Sequence, residues 1–200
     1  MGLFGPPNIK KLEENGKIQE LLKILGDGKM DEQIRVAAGS ALGRLHVIEA
    51  IEPIIYRGTY GGYWIHEPLQ DALLDIGAPA INPLIFQFDK GISNAFAEGC
   101  LLRFSAQAVD PLIEAMRSNN SRRASQAASL LAKIGAPAFD AMVILLASPD
   151  PQLRARSAWI LGKMRDVRAI QSLITALQDD EPNVRENAIE ALAAFLSVET

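Results

Sequence analysis

The pentapeptide Ile-Gly-Ala-Pro-Ala stands at 76–80 and again, unchanged, at 134–138. The copies are 58 residues apart, two periods of 29. A looser frame, Ala-apolar-x-(Pro or small)-apolar, recurs five times in phase. It reads Ala50-Ile51-Glu52-Pro53-Ile54, Ala80-Ile81-Asn82-Pro83-Leu84, Ala108-Val109-Asp110-Pro111-Leu112, Ala138-Phe139-Asp140-Ala141-Met142 and Ala169-Ile170-Gln171-Ser172-Leu173, with spacings of 30, 28, 30 and 31. A chain built this way stacks its segments. Each unit buries its apolar face only against its neighbours.

After each frame the apolar residues follow a helical period. The sets Ile81/Leu84/Ile85/Phe88, Val109/Leu112/Ile113/Met116, Phe139/Met142/Val143/Leu146 and Ile170/Leu173/Ile174/Leu177 fall at i, i+3, i+4 and i+7. This is one buried stripe on a helix, here named B. Ile18/Leu21/Leu22/Leu25 shows the same stripe near the start, while Ile51/Ile54/Ile55 meets Gly58 at i+7. Proline at the third residue after the alanine suits a first helical turn, where its missing N–H costs nothing. Upstream of each B stripe lies a second helix, A, rich in small residues, as in Ile34–Gly43, Leu153–Gly162 and Val184–Ala193. Small residues let two helix backbones approach closely. Gly43 and Gly162 near the A-helix ends are expected as left-handed caps.

The expected fold is all-α, an α-solenoid of stacked antiparallel helix pairs with about six units of ~30 residues. An N-terminal arm and short capping helix would occupy 1–14. One solenoid would fill 15–200, with units near 15–29, 30–60, 61–91, 92–120, 121–150, 151–180 and 181–200.

The pattern acidic-x-x-(Ile, Leu or Val)-Arg-x-x-small-x-x-(Ala or Ile)-Leu-(Gly or Ala) stands as Asp31…Ile34-Arg35, Asp150…Leu153-Arg154 and Glu181…Val184-Arg185. It resembles the HEAT-like repeats of phycobilisome lyases over roughly 15–200. The resemblance implies an acidic–arginine ladder between units. Here His66 and Asn94 stand at two of the arginine positions, and Arg122 and Arg123 come early in a third. The ladder is therefore expected to break mid-array.

Composition narrows function. Lys and Arg total 20 and Asp and Glu 24, a net charge of −4, which disfavours a strongly basic nucleic-acid binder. The negative charge sits in the first half: residues 1–100 hold 9 basic and 13 acidic groups, residues 101–200 hold 11 of each. The candidate concave B-helix face carries Glu52, Asp89, Asp110, Glu114 and Asp140 against Arg57 and Arg117, which also repels phosphates. Arg154, Arg156, Lys163, Arg165 and Arg168 form one local basic cluster, read as a solvated A-helix face plus ladder. No run reaches the ~18 apolar residues of a membrane span, and the first residues lack a secretory signal, so the expected location is cytoplasmic.

Groups for chemistry are sparse. Two histidines and one cysteine exclude a zinc site by Cys/His spacing. Cys100 reads as a small core residue. Deoxyhypusine hydroxylases, also of HEAT-like repeats, hold iron through several His-Glu pairs. His66-Glu67 is the single such pair here, and His46 precedes Val47, so a di-iron site lacks its ligands. No catalytic residue, metal or cofactor is assigned.

Every tyrosine, with one of two tryptophans, falls in Tyr56-Arg57-Gly58-Thr59-Tyr60-Gly61-Gly62-Tyr63-Trp64-Ile65-His66. Its glycines are expected to break the B helix early. Tyrosine and tryptophan on a glycine-rich loop have the composition of a recognition surface, or else fill the gap left by a shortened helix. Phe86 holds the register of Tyr56 one unit on. The expected function is a non-catalytic scaffold that binds a basic or amphipathic protein segment. Its contact residues would be Tyr56, Arg57, Tyr60, Tyr63, Trp64, His66, Phe86, Glu52, Asp89 and Glu114. The alternative is a lyase-type enzyme or subunit resembling phycobilin lyases, or an iron-dependent hydroxylase-like protein. Ile189, Leu192, Phe195 and Leu196 on the last A helix would lack half their cover. Leu192, Phe195 and Leu196 therefore form a candidate contact with a partner or a second copy.

Overall fold

The structure is a computed structural model that describes residues 6–90 and 95–196. Asn94, the first residues of the arm and Thr200 lie outside the described residues. All regular structure described is helical. The chain divides into two compact units, Met1–Phe104 and Ser105–Thr200.

The first unit holds α1 (Ile9–Glu14), α2 (Ile18–Gly26), α3 (Glu32–Arg44), α4 (Ile51–Tyr60), α5 (His66–Ile76), α6 (Ile81–Phe86) and α7 (Ala95–Phe104). The second holds α8 (Ala106–Met116), α9 (Ser121–Ile134), α10 (Ala136–Leu145), α11 (Pro151–Met164), α12 (Ile170–Ala176) and α13 (Pro182–Leu196). Helices α3, α5, α7, α9, α11 and α13 are the A helices, with α1 a stub of the same kind. Helices α2, α4, α6, α8, α10 and α12 are the B helices. Short connections make sequence neighbours antiparallel, and A packs on A within each unit: α3 on α5, α5 on α7, α9 on α11, α11 on α13. Within each unit the all-α helix pairs stack in the α-solenoid manner that the period implies.

The repeated pentapeptide has a backbone reason. Gly77 sits at φ 90°, ψ −152° and Gly135 at φ 70°, ψ −125°, conformations essentially closed to side-chain-bearing residues. Each ends an A helix, and its N–H donates to Leu73 or Leu131 at 3.0 or 3.2 Å. The proline two residues on then opens the next helical turn with φ already set. Three A helices, α3, α9 and α11, start on side-chain caps. Asp31, Asn120 and Asp150 accept from Gln33, Arg122 and Gln152 N–H groups at 2.8, 3.1 and 2.8 Å.

Gly43 and Gly162 are not caps. Both lie buried inside their A helices, against the next A helix. A Cβ on Gly43 would stand 2.5 Å from Ala72 Cα, and one on Gly162 would stand 2.6 Å from Ala191 Cβ. The left-handed positions after these helices belong to His46 (φ 53°) and Arg165 (φ 52°). Each side chain then reaches the far end of the next A helix: His46 Nδ1 donates to the Asp75 carbonyl, and Arg165 Nη2 to that of Ala194 at 2.6 Å. The glycine signal marked helix contact instead of chain reversal. Proline placement also differs once. Pro53 and Pro83 fall in first turns, but α8 begins at Ala106 and carries Pro111 in its second turn.

Gly43→Ala and Gly162→Ala should each destabilise their unit by about 1–3 kcal/mol, because the added methyl meets a backbone that cannot move alone. Gly28→Ala faces open space and should change little. Urea unfolding followed by far-ultraviolet circular dichroism measures all three.

Candidate functional site

Gly58 does not break α4. It is buried within the helix, where the Phe96 ring of α7 lies on it so closely that a Cβ would stand 2.4 Å from the ring. The helix ends instead at Gly61, where a Cβ would stand 2.1 Å from Ile65 Cδ1 and 2.8 Å from the Arg57 carbonyl. Phe96 and Ile65 thus fill the space beside α4, and both are buried. The neighbouring aromatics are left outside. Tyr56, Tyr60, Tyr63, Trp64 and Phe86 are between 54% and 81% exposed. They do not fill the core.

These rings are organised. Tyr56 and Tyr60, one turn apart on α4, lie 4.8 Å centroid to centroid at 48°. Tyr63 and Trp64 sit on a single 3₁₀ turn, 63–65. Tyr63 lies tilted against His66 at 4.9 Å and 51°, and His66 meets Phe96 edge-on at 5.3 Å. His66 therefore anchors the exposed turn to the buried ring. It sits in an aromatic column where the repeat pattern would have a ladder arginine. Phe86 projects from α6, which packs beside α4. Glu52 is exposed on α4, and Asp89 is half-buried after α6. Glu114 lies on α8, in the second unit, and pairs with Arg117 at 3.6 Å.

The ladder is real, but its carboxylates differ from those expected. Asp31 and Asp150 are spent as helix caps. Arg154 instead takes both oxygens of Asp179, 25 residues on, at 2.8 and 2.9 Å, and donates to the Ser148 carbonyl at 2.9 Å. Arg185 donates to the Asp179 and Asp180 carbonyls at 2.6 and 2.9 Å. In the first unit the same 25-residue span is inverted in charge. Glu32 on the A helix accepts from Arg57 on the B helix at 3.0 and 3.2 Å, and also from Arg35. Arg57, expected at the contact surface, is thereby held in a structural pair with a 17% exposed side chain.

The family of HEAT repeats matches residues 139–200. That match spans the C-terminal third of the chain. Among curated proteins no sequence match is found. Solved structures similar to this chain include human deoxyhypusine hydroxylase in complex with glycerol, at 17% identity and TM-score 0.44, over 94% of this chain and 76% of that one. A designed armadillo repeat protein is similar at 19% identity and TM-score 0.33, over 96% and 87%. The CpcE–CpcF complex of phycocyanin lyase from Nostoc is similar at 17% identity and TM-score 0.35, over 93% and 85%.

The basic cluster at 154–168 is dispersed into separate pairs. Arg156 donates to the Met116 carbonyl, Lys163 lies 5.5 Å from the Trp159 ring centroid, and Arg168 pairs with Asp166 while covering the Phe139 ring at 4.1 Å. Cys100 is fully buried, and burial pushes its thiol pKa up, away from reactive thiolate. Among the described residues no three His, Cys, Asp or Glu side chains stand together as metal ligands, and no helix is long and apolar enough to cross a membrane.

Two clefts lacked a sequence signal. One, of about 900 Å³, lies between Lys17–Glu20 and Leu45–Glu49 and exposes Ile48. The other, of about 230 Å³, is lined by Ser125, Ser129, Arg156, Trp159 and Asn187 on three A helices. Trp159, where neighbouring repeats carry smaller residues, was the available hint. On α13, Ile189 and Leu196 are exposed while Leu192 and Phe195 are half-buried.

The Arg154 guanidinium, through its hydrogen bonds to Asp179, holds that carboxyl below its ordinary 3.8. A lowered folded-state value contributes stability above the unfolded value and loses it as pH falls through the folded one. Asp179→Asn should therefore be less stable than wild type at neutral pH, and the difference should close as pH falls below about 4. Urea midpoints of the two proteins measured down to acid pH check this.

Proposed function

We propose that this HEAT-repeat chain is a non-catalytic scaffold that binds another protein through the aromatic face of its first unit. One observation carries the reading: five large rings of the first unit stand exposed while the core beside α4 is filled by other residues. Exposed aromatic surface costs solubility and finds its use in contact. Tyrosine and tryptophan supply large amphipathic area with few rotatable bonds, so ordering them on binding is cheap. The glycine positions and the His66–Phe96 column hold that surface in place without using it for stability.

Quantitative affinity capture with wild type and a Tyr60→Ala/Tyr63→Ala/Trp64→Ala variant tests the assignment. The variant should keep the wild-type melting transition, since its rings are exposed, and lose proteins that wild type retains. Equal capture by a folded variant removes the aromatic face from the contact.

A second contact is proposed on α13, where Ile189 is 57% and Leu196 is 83% exposed. With Leu192 and Phe195 they form an apolar edge suited to a second copy of the chain. Light scattering at high concentration should give twice the 21.7 kDa chain mass, returning to the single mass in Leu196→Glu. A wild-type protein that stays at the single mass rejects the homotypic contact.

A further inference from the structure

The aromatic face also carries information about what it binds. The exposed side of α4 continues back through the preceding turn, so Glu49, Glu52, Tyr56 and Tyr60 follow one another along one stripe, all exposed. From Glu52 to Tyr60 the helix rises about 12 Å. On neighbouring α6 and the turn after it, Asn82, Phe86 and Lys90 hold the matching register and are also exposed. Carboxylates thus begin the α4 stripe and rings end it, with Lys90 the exposed cation of the adjoining stripe. Arg57, the guanidinium nearest the rings in sequence, is turned away into Glu32.

The Tyr56 and Tyr60 rings are tilted and open. The face of an exposed tyrosine ring attracts a cation. A long basic side chain suits this stripe in both its parts. Its apolar stem lies along a ring and its charged head reaches a carboxylate one turn away. Nucleic acid is disfavoured, because Glu49 and Glu52 oppose its phosphates.

We infer that the aromatic face of the first unit docks an extended protein segment bearing two or more spaced lysine or arginine side chains. The stripe's length matches about four residues of extended chain, so the basic residues would stand two to four positions apart. This rests on the aromatic face being the contact surface and names the chemistry of its occupant.

The test uses the whole chain and a synthetic decapeptide with arginine at alternate positions among serine and alanine, followed by isothermal titration calorimetry. Its control is the same peptide with glutamine for arginine. The arginine peptide should bind at least about tenfold tighter than the glutamine peptide, and about tenfold weaker to Tyr56→Ala/Tyr60→Ala. Glu49→Gln/Glu52→Gln, which keeps size and shape, should weaken it about fivefold and flatten its salt dependence. Asp140→Asn in the second unit should leave binding unchanged. Equal affinity for the two peptides overturns the inference, as does undiminished binding by either double variant. If the Tyr60/Tyr63/Trp64 variant loses its captured partner while the arginine peptide fails to bind, the contact surface stands and its cationic occupant falls.

Discussion

The structure depends on how closely one A helix can approach the next. Gly43 on Ala72 and Gly162 on Ala191 are contacts in which not even a methyl group fits between backbones. Each is a nearest-neighbour interaction, and stability of such an array is nearly a sum over such interfaces. The close approach sets where the A-helix ends fall. It thereby lets His46 and Arg165 reach the carbonyls of Asp75 and Ala194 at the far end of the adjoining helix.

Charge then links elements within each unit without making a core of charge. The 25-residue span joins Arg154 to Asp179 in one unit and Glu32 to Arg57 in the other, with the signs exchanged. Hydrogen bonds between charged partners need complementary signs at the two ends of the span, and either order supplies them. The inversion matters for the surface. It draws Arg57 inward and leaves the exposed α4 stripe to carboxylates and rings.

The aromatic face shows how one side chain frees others. Phe96 packs on Gly58, and with Ile65 it closes the space beside α4. Tyr56, Tyr60, Tyr63 and Trp64 then have no room in the core. His66 joins the two layers, tilted against Tyr63 outside and set edge-on to Phe96 within. A surface supported this way can present rings at fixed positions, which lowers the ordering cost of binding.

The sequence by itself determined the period, the helix pairs and the concentration of aromatics at 56–64. Periodicity of buried positions is a local property: Ile81, Leu84 and Ile85 must share a side of any helix they form. It did not determine the work of individual residues within that frame. Gly43 and Gly162 read as caps, Gly58 as a helix breaker, Asp31 and Asp150 as ladder acids, and His66 as a substitute ladder residue. Most of these readings failed because the deciding partner lies about 25 to 40 residues away: Ala72, Ala191, Phe96 and, for the true ladder acid of Arg154, Asp179. Whether a tyrosine is core or surface was likewise undecidable from its own neighbours. Only the packing of Phe96 and Ile65 decided it, because two groups cannot occupy one volume.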